Sequence, residues 1–302
     1  MAKVVLVGCG NVGMSYAFAM VTSRNKVSEL VLIDIDSAKA DGEAQDLLHA
    51  SAYNTNRVRV RAGGYSECKD ADVVCICAGA AQAKGETRRD LVRKNAAIMR
   101  SIVTEVQKSG FGGIYLVATN PVDVMTQVVW KISGMPHGRV IGSGTTLDTA
   151  RLRQMIGAEL DLHPANVHSY VLGEHGDSSF VPWSSSVIGL TPIDRFLTPD
   201  QKARILYHMR TSAYDIINKK GSTYYGIGIC LKDITDAILE DANAIKTVSV
   251  YCAKDDLYYG MPAVIGRNGV LARLELPLNQ EECERKRKTT EVLEDMWKAV
   301  GL

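Results

Sequence analysis

Residues 3–21 read KVVLVGCGNVGMSYAFAMV, and this stretch decides the fold. A short β-branched run ends at Val7, and glycines follow at positions 8, 10 and 13 before a segment of helical composition. A second apolar run, LVLID, ends at Asp34, 21 residues after the third glycine. A strand, a glycine turn, a helix and an acid at the end of the next strand follow one another in a dinucleotide-binding βαβ unit.

The glycine turn predicts a cofactor site. Glycines permit a tight turn and close backbone approach, so a pyrophosphate would rest on the amide groups at the start of the helix. Asp34 would accept hydrogen bonds from the adenosine ribose, and its charge would repel a 2′-phosphate, so NAD is favoured over NADP. An ordinary strand and turn with an incidental acid after it is the alternative. The predicted contacts in the turn are Gly8, Gly10, Asn11, Val12 and Gly13.

Length and composition fit a soluble, cytoplasmic protein with two core-bearing units. The chain has 302 residues, of which 46% are hydrophobic. A formal net charge of +1 gives no electrostatic case for nucleic acid, and the basic run at residues 285–288 is offset by neighbouring glutamates. No apolar stretch reaches 18 residues, so we expect no membrane segment and no membrane partner.

Neither the cysteines nor the histidines indicate a metal site. Cys75 and Cys77 alternate within a strand-like run and would project both thiols to one face, where packing is the favoured role. Cys9 lies beside a predicted helix N-terminus, where a lowered thiol pKa is the less favoured alternative to packing. Three histidines of the second half lack zinc-type spacing and have no paired cysteines beside them: His163, His168 and His175.

Strand-like runs alternate with helical patterns through the first half of the chain. The runs are VVLVG, LVLID, VRVRAG, DVVCICAG, GGIYLVATN and RVIGSG, and the apolar residues between them recur at helical spacing. This alternation predicts an α/β fold with a doubly wound parallel, Rossmann-type sheet covered on both faces. The sheet pattern stops near Ser143. We therefore predict a dinucleotide-binding domain at residues 1–142 and an α+β substrate-binding, catalytic domain at residues 143–302.

The second half of the chain is more irregular. Thr198, Pro199 and Gln201 form the signature of a capped helix with proline at its first position. Short strand-like runs, VSVYC and GVLARLELP, come after this helix. An amphipathic tail, NQEECERKRKTTEVLEDMWKAV, predicts a terminal helix.

Two further motifs carry candidate catalytic chemistry. GEHGD, residues 173–177, places His175 between glycines and carboxylates, where it is free to exchange a proton near neutral pH. LDTARLR, residues 147–153, places Asp148 and Arg151 three apart and so on one helix face. One of these two residues could hold the histidine by a hydrogen bond, while the other binds a substrate carboxylate through two parallel hydrogen bonds. A solvated loop histidine and a local surface salt bridge are the alternatives.

Five co-linear motifs resemble those of the lactate and malate dehydrogenase family over essentially the whole chain. They are VLVGCGNVG, AGAAQAKGETRRDLVRKN, VATNPVDV, IGSGTTLDTARLR and GEHGD. The resemblance implies an enzyme that reduces a 2-keto acid with NADH, which requires a hydride at the carbonyl carbon and a proton at its oxygen. A non-catalytic NAD-binding protein is the alternative from another class, but it would have no reason to retain all the catalytic residues together.

The resemblance also implies residue roles. His175 would be the proton donor or acceptor, with Asp148 as its carboxylate partner. Arg151 would hold the substrate carboxylate, and Arg88 would polarise the substrate carbonyl from a mobile loop that Gly79 and Gly85 flank. The adjacent Arg89 would face elsewhere. Further contacts to substrate or nicotinamide are assigned by the same resemblance to Asn120, Thr223 and Ile227, and Gly79 is added to the cofactor contacts.

Substrate choice depends on Gln82. The family carries glutamine at this position when the substrate side chain is a methyl group, and usually arginine when it is a second carboxylate. An uncharged amide leaves the second carboxylate of malate without a counter-ion, so pyruvate and L-lactate are favoured. Malate dehydrogenase, or another L-2-hydroxyacid dehydrogenase of this family, is the alternative.

Two cationic positions match the allosteric bacterial members of the family. Arg153 and His168 fall where those proteins bind fructose 1,6-bisphosphate across a subunit interface. A basic pair that faces its symmetry mate would form a four-fold cationic site suited to a bisphosphate. The alternative is a solvated Arg153 and a His168 packed in a strand. We expect a homo-oligomer, and the sequence leaves dimer and tetramer open.

We predict that the wild-type protein reduces pyruvate far better than oxaloacetate, and that Gln82→Arg shifts the ratio toward oxaloacetate by roughly 100-fold. The reason is that the new guanidinium supplies a counter-ion whose absence costs several kcal/mol. Initial rates of NADH oxidation with each keto acid measure the ratio. Comparable efficiency on both substrates in the unmutated protein would contradict this interpretation of Gln82.

Overall fold

A single nine-stranded sheet runs through the computed structural model, which describes residues 2–53, 57–80, 85 and 87–301. The strands are β1 (Ala2–Val7), β2 (Val27–Ile33), β3 (Arg59–Ala62), β4 (Val73–Ile76), β5 (Ile114–Val117), β6 (Val140–Gly142), β10 (Ala244–Cys252), β11 (Leu257–Gly266) and β12 (Gly269–Arg273). Their order is β12-β11-β10-β6-β5-β4-β1-β2-β3. Three short strands form a second sheet in the order β7-β8-β9: β7 (Val167–His168), β8 (Val187–Ile188) and β9 (Thr191–Pro192).

Eight α-helices connect and cover these strands in the described ranges. They are α1 (Asn11–Thr22), α2 (Ser37–Ser51), α3 (Arg88–Lys108), α4 (Val122–Ser133), α5 (Thr146–Leu160), α6 (Pro199–Lys220), α7 (Tyr225–Leu239) and α8 (Gln280–Lys298). The predicted capping box of α6 is confirmed, because Thr198 and Gln201 exchange hydrogen bonds and Pro199 opens the helix. None of the helices in the described part of the chain combines the length and apolar character that a membrane crossing requires.

Strands β1 to β6 are parallel, as the alternating pattern predicts, and the order of the strands reverses at β1. From β1 the chain proceeds outward to β2 and β3, and then returns to β4 on the other side. Doubly wound sheets bind their ligands in the crevice at this reversal, outside the carboxyl ends of the strands. The glycine turn after β1 and the loop after β4 therefore flank the expected ligand crevice.

The sheet does not stop at Ser143, as the sequence pattern indicated, but continues through three antiparallel strands. β10 joins the edge of β6 at Ser249 and Gly142, and β11 and β12 follow it outward. Strand β11 is not predicted by the sequence pattern, because it contains Pro262 and glycines, residue types that are depleted in strands. The domain boundary at residue 143 stays a prediction.

Two apolar cores lie on either side of this junction. The large core fills both faces of the nine-stranded sheet, and its fully buried side chains come from strands such as β1, β2, β4 and β5 and from helices α1, α3 and α4. A smaller core joins α5 and α6 to the three-stranded sheet, with Leu152, Ile156, Val167, Ile205 and Met209 among its members. The residues that flank the segment at 173–177 belong to both cores, Leu172 and Phe180 to the large one and Val171 and Val181 to the small one, so the segment is anchored at both ends.

Candidate active site

Most of the predicted catalytic residues line one cleft of about 220 Å³. The cleft brings together Arg88, Asn120, Asp148, Arg151 and His175, which come from four separate segments of the chain. A larger cleft of about 740 Å³ opens at the opposite, amino-terminal ends of the parallel strands. We place the active site in the smaller cleft because the titratable groups converge there.

His175, Asp148 and Arg151 form a contiguous array. The Nδ1 atom of His175 lies 2.6 Å from Oδ2 of Asp148, and Nη1 of Arg151 donates to Oδ1 of the same carboxylate at 3.2 Å. Asp148 occupies the first turn of α5 and is only 9% exposed. The Asp148 carboxylate therefore orients an imidazole and a guanidinium at once. Its contact with Arg151 is possible because the two residues are three apart on one helix.

The electrostatics of the array favour a protonated histidine. The negative charge of Asp148 raises the pKa of His175 to about 9, although burial of the ring opposes the charged form. Burial opposes ionisation of Asp148 too, but the charge of His175 and the hydrogen bond from it lower the pKa of this carboxyl below its usual range. At neutral pH the pair is an imidazolium beside a carboxylate, with Nε2 left to transfer a proton.

A second carboxylate, missed in the sequence, holds the backbone of His175. Asp123, in the first turn of α4, is buried, and its Oδ2 accepts a hydrogen bond from the His175 amide at 2.7 Å. The hydroxyl of Ser249 on β10 donates to the other oxygen at 2.6 Å. Burial raises the pKa of Asp123 to about 6. The signal was a lone acid within the apolar stretch VDVMTQVVW.

Arg88 is the first residue of helix α3 and not a loop residue. Its guanidinium is paired with Asp177, and Nη1 lies 3.9 Å from the buried carboxylate of Glu174. Arg89 points away and binds Asp295 on α8 at 2.6 and 2.8 Å. The structure thus separates the two adjacent arginines, which the sequence spacing alone could not do.

The geometry of the glycine turn fits a dinucleotide. A Cβ on Gly8, whose φ is +105°, would lie 2.4 Å from the amide nitrogen of Ala78, and one on Gly13 would lie 2.0 Å from the carbonyl oxygen of Gly8. These two glycines close the turn and seat the helix on the sheet. A Cβ on Gly10 meets nothing within 4 Å, so this residue leaves open space at the N-terminus of α1, where backbone amides can receive a pyrophosphate.

Asp34 supports the same assignment from the end of β2. One of its carboxylate oxygens accepts from the amide of Cys9 at 2.7 Å, and the other accepts from the amide of Asp36 at 3.1 Å. Both oxygens keep capacity to accept from a ribose hydroxyl, because each has a second lone pair. Asn11 donates to Ser222 at 3.0 Å, and Val12 packs against the large core.

Asn95, also missed in the sequence, joins the loop after β4 to the loop after β5. Its amide group exchanges hydrogen bonds with the backbone of Ala80 and donates to the carbonyl oxygen of Asn120 at 2.7 Å. A Cβ on the neighbouring Gly79 would lie 2.4 Å from Thr119. Asn120 is exposed at the rim of the cleft, so its side chain is available to a ligand.

Two of the predicted contacts do not line this cleft, and a third is not among the described residues. Gln82 lies outside the described residues. Thr223 follows α6 and is not among the described residues that line the cleft. Ile227, on α7, packs against the large core, where its neighbour Gly228 lies in close contact with α1. Their predicted roles stay predictions.

The two predicted effector residues are not among the described residues that line the cleft, and each is close to Ser169, by contact or in the chain. Nε of Arg153 donates to the carbonyl oxygen of Ser169 at 3.0 Å, and its guanidinium lies 5.0 Å from the ring centre of Tyr170. His168 is exposed on β7, next to Ser169 in the chain. The His168 side chain is therefore exposed on its short strand, and Arg153 contacts the backbone of the residue that follows it.

Cys9 does not have the lowered pKa that its position allowed. Its side chain is buried and lies 3.9 Å from the carbonyl oxygen of Ile33. Burial, together with the nearby charge of Asp34, raises the pKa of the Cys9 thiol to about 12. The thiol is a packing element, as the Cys75 and Cys77 side chains are, whose sulfurs lie 3.8 Å apart.

Comparisons with known proteins cover nearly the whole chain. Sequence models of the lactate/malate dehydrogenase NAD-binding domain and alpha/beta C-terminal domain match residues 2–142 and 145–300. The L-lactate dehydrogenase of Halalkalibacterium halodurans is 48% identical over 302 residues, which covers 99% of this chain and 97% of that protein. L-lactate dehydrogenase 2 of Bacillus anthracis is 48% identical over 303 residues, with coverage of 97% and 96%.

Solved structures agree with these sequence matches. A lactate dehydrogenase from a Medee basin deep-sea metagenome library has a TM-score of 0.96 at 45% identity, covering 100% of this chain and 99% of that one. The ligand-bound minor L-lactate dehydrogenase of Enterococcus mundtii has a TM-score of 0.96 at 41% identity, with coverage of 99% and 98%.

We expect Asp148→Asn to lower the pKa of His175 by roughly one to two units, because the neutral amide no longer stabilises the imidazolium. NMR titration of the histidine ring resonances measures this value, with His175→Ala to assign the signal. Asp161→Asn, a change of the same kind at the exposed end of α5, is the control and should leave the titration in place. An unchanged midpoint in Asp148→Asn would disprove the electrostatic coupling.

Proposed function

The chain belongs to the lactate/malate dehydrogenase family and is an NAD-dependent oxidoreductase, and from this premise we propose that it interconverts pyruvate and L-lactate. The observation that carries the proposal is the array of His175, Asp148 and Arg151 in one cleft. It offers a proton donor and a carboxylate receptor side by side. A 2-keto acid needs both when its carbonyl is reduced.

In the proposed mechanism Arg151 binds the substrate carboxylate. One nitrogen of its guanidinium is hydrogen-bonded to Asp148, which leaves further N–H groups to form a bidentate contact with the substrate carboxylate. Because Asp148 also holds His175, the carboxylate receptor and the proton donor have a fixed separation. Substrate orientation is thereby set before the chemical step.

The protonated His175 then transfers its proton from Nε2 to the substrate oxygen. Asp148 accepts the hydrogen bond from Nδ1 and stabilises the imidazolium, so His175 is protonated at neutral pH. NADH, when bound along the glycine turn and Asp34, supplies the hydride for the carbonyl carbon. In lactate oxidation the same imidazole, now neutral, accepts the proton.

Arg88 would stabilise the charge that grows on the substrate oxygen. In the structure its guanidinium contacts Asp177 and Glu174, at the rim of the same cleft. The substrate oxygen would replace part of this contact, so that the guanidinium acts on the developing charge. Gln82 selects a methyl side chain over a carboxylate in this proposal. Malate dehydrogenase is the second candidate, which the presence of Gln82 disfavours.

We expect wild-type protein to oxidise NADH with pyruvate, and His175→Ala to reduce turnover by about 100-fold or more, the usual scale for loss of a positioned acid. NADH binding should be nearly unchanged, because the glycine turn lies apart from His175. Steady-state kinetics and NADH fluorescence titration measure the two effects. The exposed His49→Ala is the matched control. Most of the activity remaining in His175→Ala would rule out the proton role.

We also propose a homo-oligomer that fructose 1,6-bisphosphate stabilises through Arg153 and His168. The support is that Arg153 contacts Ser169, the chain neighbour of the exposed His168, and that Tyr170 and the Ser169 carbonyl hold the guanidinium. Cationic groups brought together across a two-fold axis repel one another until a bisphosphate neutralises them. Binding only to the assembled state would favour assembly and the competent substrate site together.

For this regulation we expect the bisphosphate to lower the apparent KM for pyruvate several-fold, and Arg153→Gln to abolish the response while basal activity remains. Pyruvate saturation at several enzyme concentrations, with and without effector, measures it. Arg204→Gln, a neutralised arginine that binds Glu159 on the exposed face of α5 and α6, is the control. Superimposable curves for the wild type would show that Arg153 and His168 are structural.

A further inference from the structure

The backbone that carries His175 is held at three consecutive amides by three different elements. The amide of Gly173 donates to the carbonyl oxygen of Gly260 on β11 at 2.9 Å. The amide of Glu174 donates to Oγ1 of Thr289 on α8 at 2.9 Å, and the amide of His175 donates to Asp123 on α4. Such a run of fixed amides leaves the histidine little freedom to move away from Asp148.

Thr289 is the member of this set that belongs to the C-terminal helix. Its side chain is fully buried, and a Cβ on Gly173 would lie 2.8 Å from its Cγ2 and Oγ1 atoms. Its hydroxyl also lies 2.8 Å from Oγ of Ser178, which in turn donates to the carboxylate of Glu174. Because the Ser178 proton goes to Glu174, the Thr289 hydroxyl donates to Ser178 while it accepts from the Glu174 amide.

The chain of hydrogen bonds ends at Glu174, whose carboxylate lies near Arg88, a second predicted catalytic group. Glu174 is buried, and its Oε1 lies 3.9 Å from Nη1 of Arg88. A buried carboxylate without its donors would be costly, so the Ser178 hydroxyl, which Thr289 contacts, keeps the Glu174 carboxylate in place. The Thr289 hydroxyl thus supports the backbone of His175 on one side and, through Ser178, the partner of Arg88 on the other.

We propose that Thr289 is a positioning residue for the reaction, which acts through the Glu174 amide on His175 and through Ser178 and Glu174 on Arg88. The proposal rests on the proposed dehydrogenase function. It assigns to α8, which contributes no proton-transfer group, a direct share in the geometry of the proton donor. Without the hydroxyl the segment at residues 173–178 shifts, and the 2.6 Å contact between His175 and Asp148 lengthens.

A longer contact changes the protonation of His175. The positive ring is stabilised chiefly by Asp148, so separation lowers the pKa of His175 from about 9 toward its ordinary value. Pyruvate reduction requires the protonated ring. The alkaline limb of the pH profile of kcat/KM, where the ring loses its proton, therefore moves to lower pH. The charged or titratable groups that face His175 from the surrounding elements are Arg88, Asp123, Asp148, Arg151, Glu174, Asp177, Arg210 and Tyr214.

The test compares Thr289→Val, which removes the hydroxyl at constant shape, with Thr289→Ser, which keeps it. Thr290→Val is the matched control, because the adjacent Thr290 hydroxyl bonds only Arg287 within its own helix. We expect Thr289→Val to lower kcat/KM for pyruvate roughly 10-fold or more, the scale of lost buried hydrogen bonds, and to move the alkaline limb to lower pH. Thr289→Ser and Thr290→Val should keep the wild-type limb, and NADH affinity should stay constant in all three.

Loss of stability alone would reduce the amount of active enzyme without moving the pH limb. A limb in Thr289→Val that coincides with that of Thr290→Val would overturn the proposal. If Thr289→Val does not fold, Ser178→Ala tests the branch to Arg88, since it breaks the link to the Glu174 carboxylate and leaves Thr289 in place. It should lower kcat/KM for pyruvate without moving the pH limb, and a wild-type kcat/KM in Ser178→Ala would overturn the proposal.

A second readout separates this inference from the proposed function. NMR titration of His175 requires no substrate, and its midpoint should fall in Thr289→Val and not in Thr290→Val. Wild-type protein without pyruvate reductase activity would refute the proposed function, while the titration still tests the positioning role. Active wild type with an unmoved His175 midpoint in Thr289→Val would refute the positioning role alone.

Discussion

The buried carboxylate of Asp148 is the constraint on which the site depends. A charge that is 9% exposed is costly unless cationic and hydrogen-bonding partners surround it, and the fold supplies His175 and Arg151 for this purpose. The same contact that compensates the burial charges the imidazole and anchors the guanidinium. One electrostatic condition, the pairing of Asp148 with two cationic groups, therefore stabilises the buried carboxylate and keeps His175 and Arg151 ready for catalysis.

The extended sheet explains how this condition is met across the chain. Strand β1 of the parallel part ends at the glycine turn, and the antiparallel strands β10 and β11 continue the same sheet, of which β11 contacts the active-site segment. Ser249 on β10 fixes Asp123, and Gly260 on β11 exchanges two backbone hydrogen bonds with Gly173. A continuous sheet thus gives the proton donor and the cofactor turn a common rigid support, which keeps their relative positions precise.

The sequence predicts well where a local pattern carries the information. The glycine fingerprint predicted the βαβ unit with Gly8 and Gly13 in tight contact, and the spacing of three residues put Asp148 and Arg151 on one helix face. The family resemblance, not the spacing, paired Asp148 with His175. The sequence does not predict strands or site residues whose position is decided by tertiary contacts. A proline and glycines concealed β11, and Asp123 and Thr289 have no local pattern, because their partners lie 52 and 115 residues away. Cys9 was equally ambiguous until its burial was known.

The charges that line the cleft explain why proton and substrate binding are coupled. Among the described side chains around it, the guanidiniums of Arg88, Arg151 and Arg210 face the carboxylates of Asp148, Glu174 and Asp177. The positive charge of a protonated His175 is compensated by Asp148 and by the nearby Asp123. A substrate carboxylate bound at Arg151 adds a negative charge near the ring, which favours the proton that the reduction consumes. A dicarboxylate would add a second negative charge beside the carboxylates of Glu174 and Asp177, which disfavours it independently of Gln82.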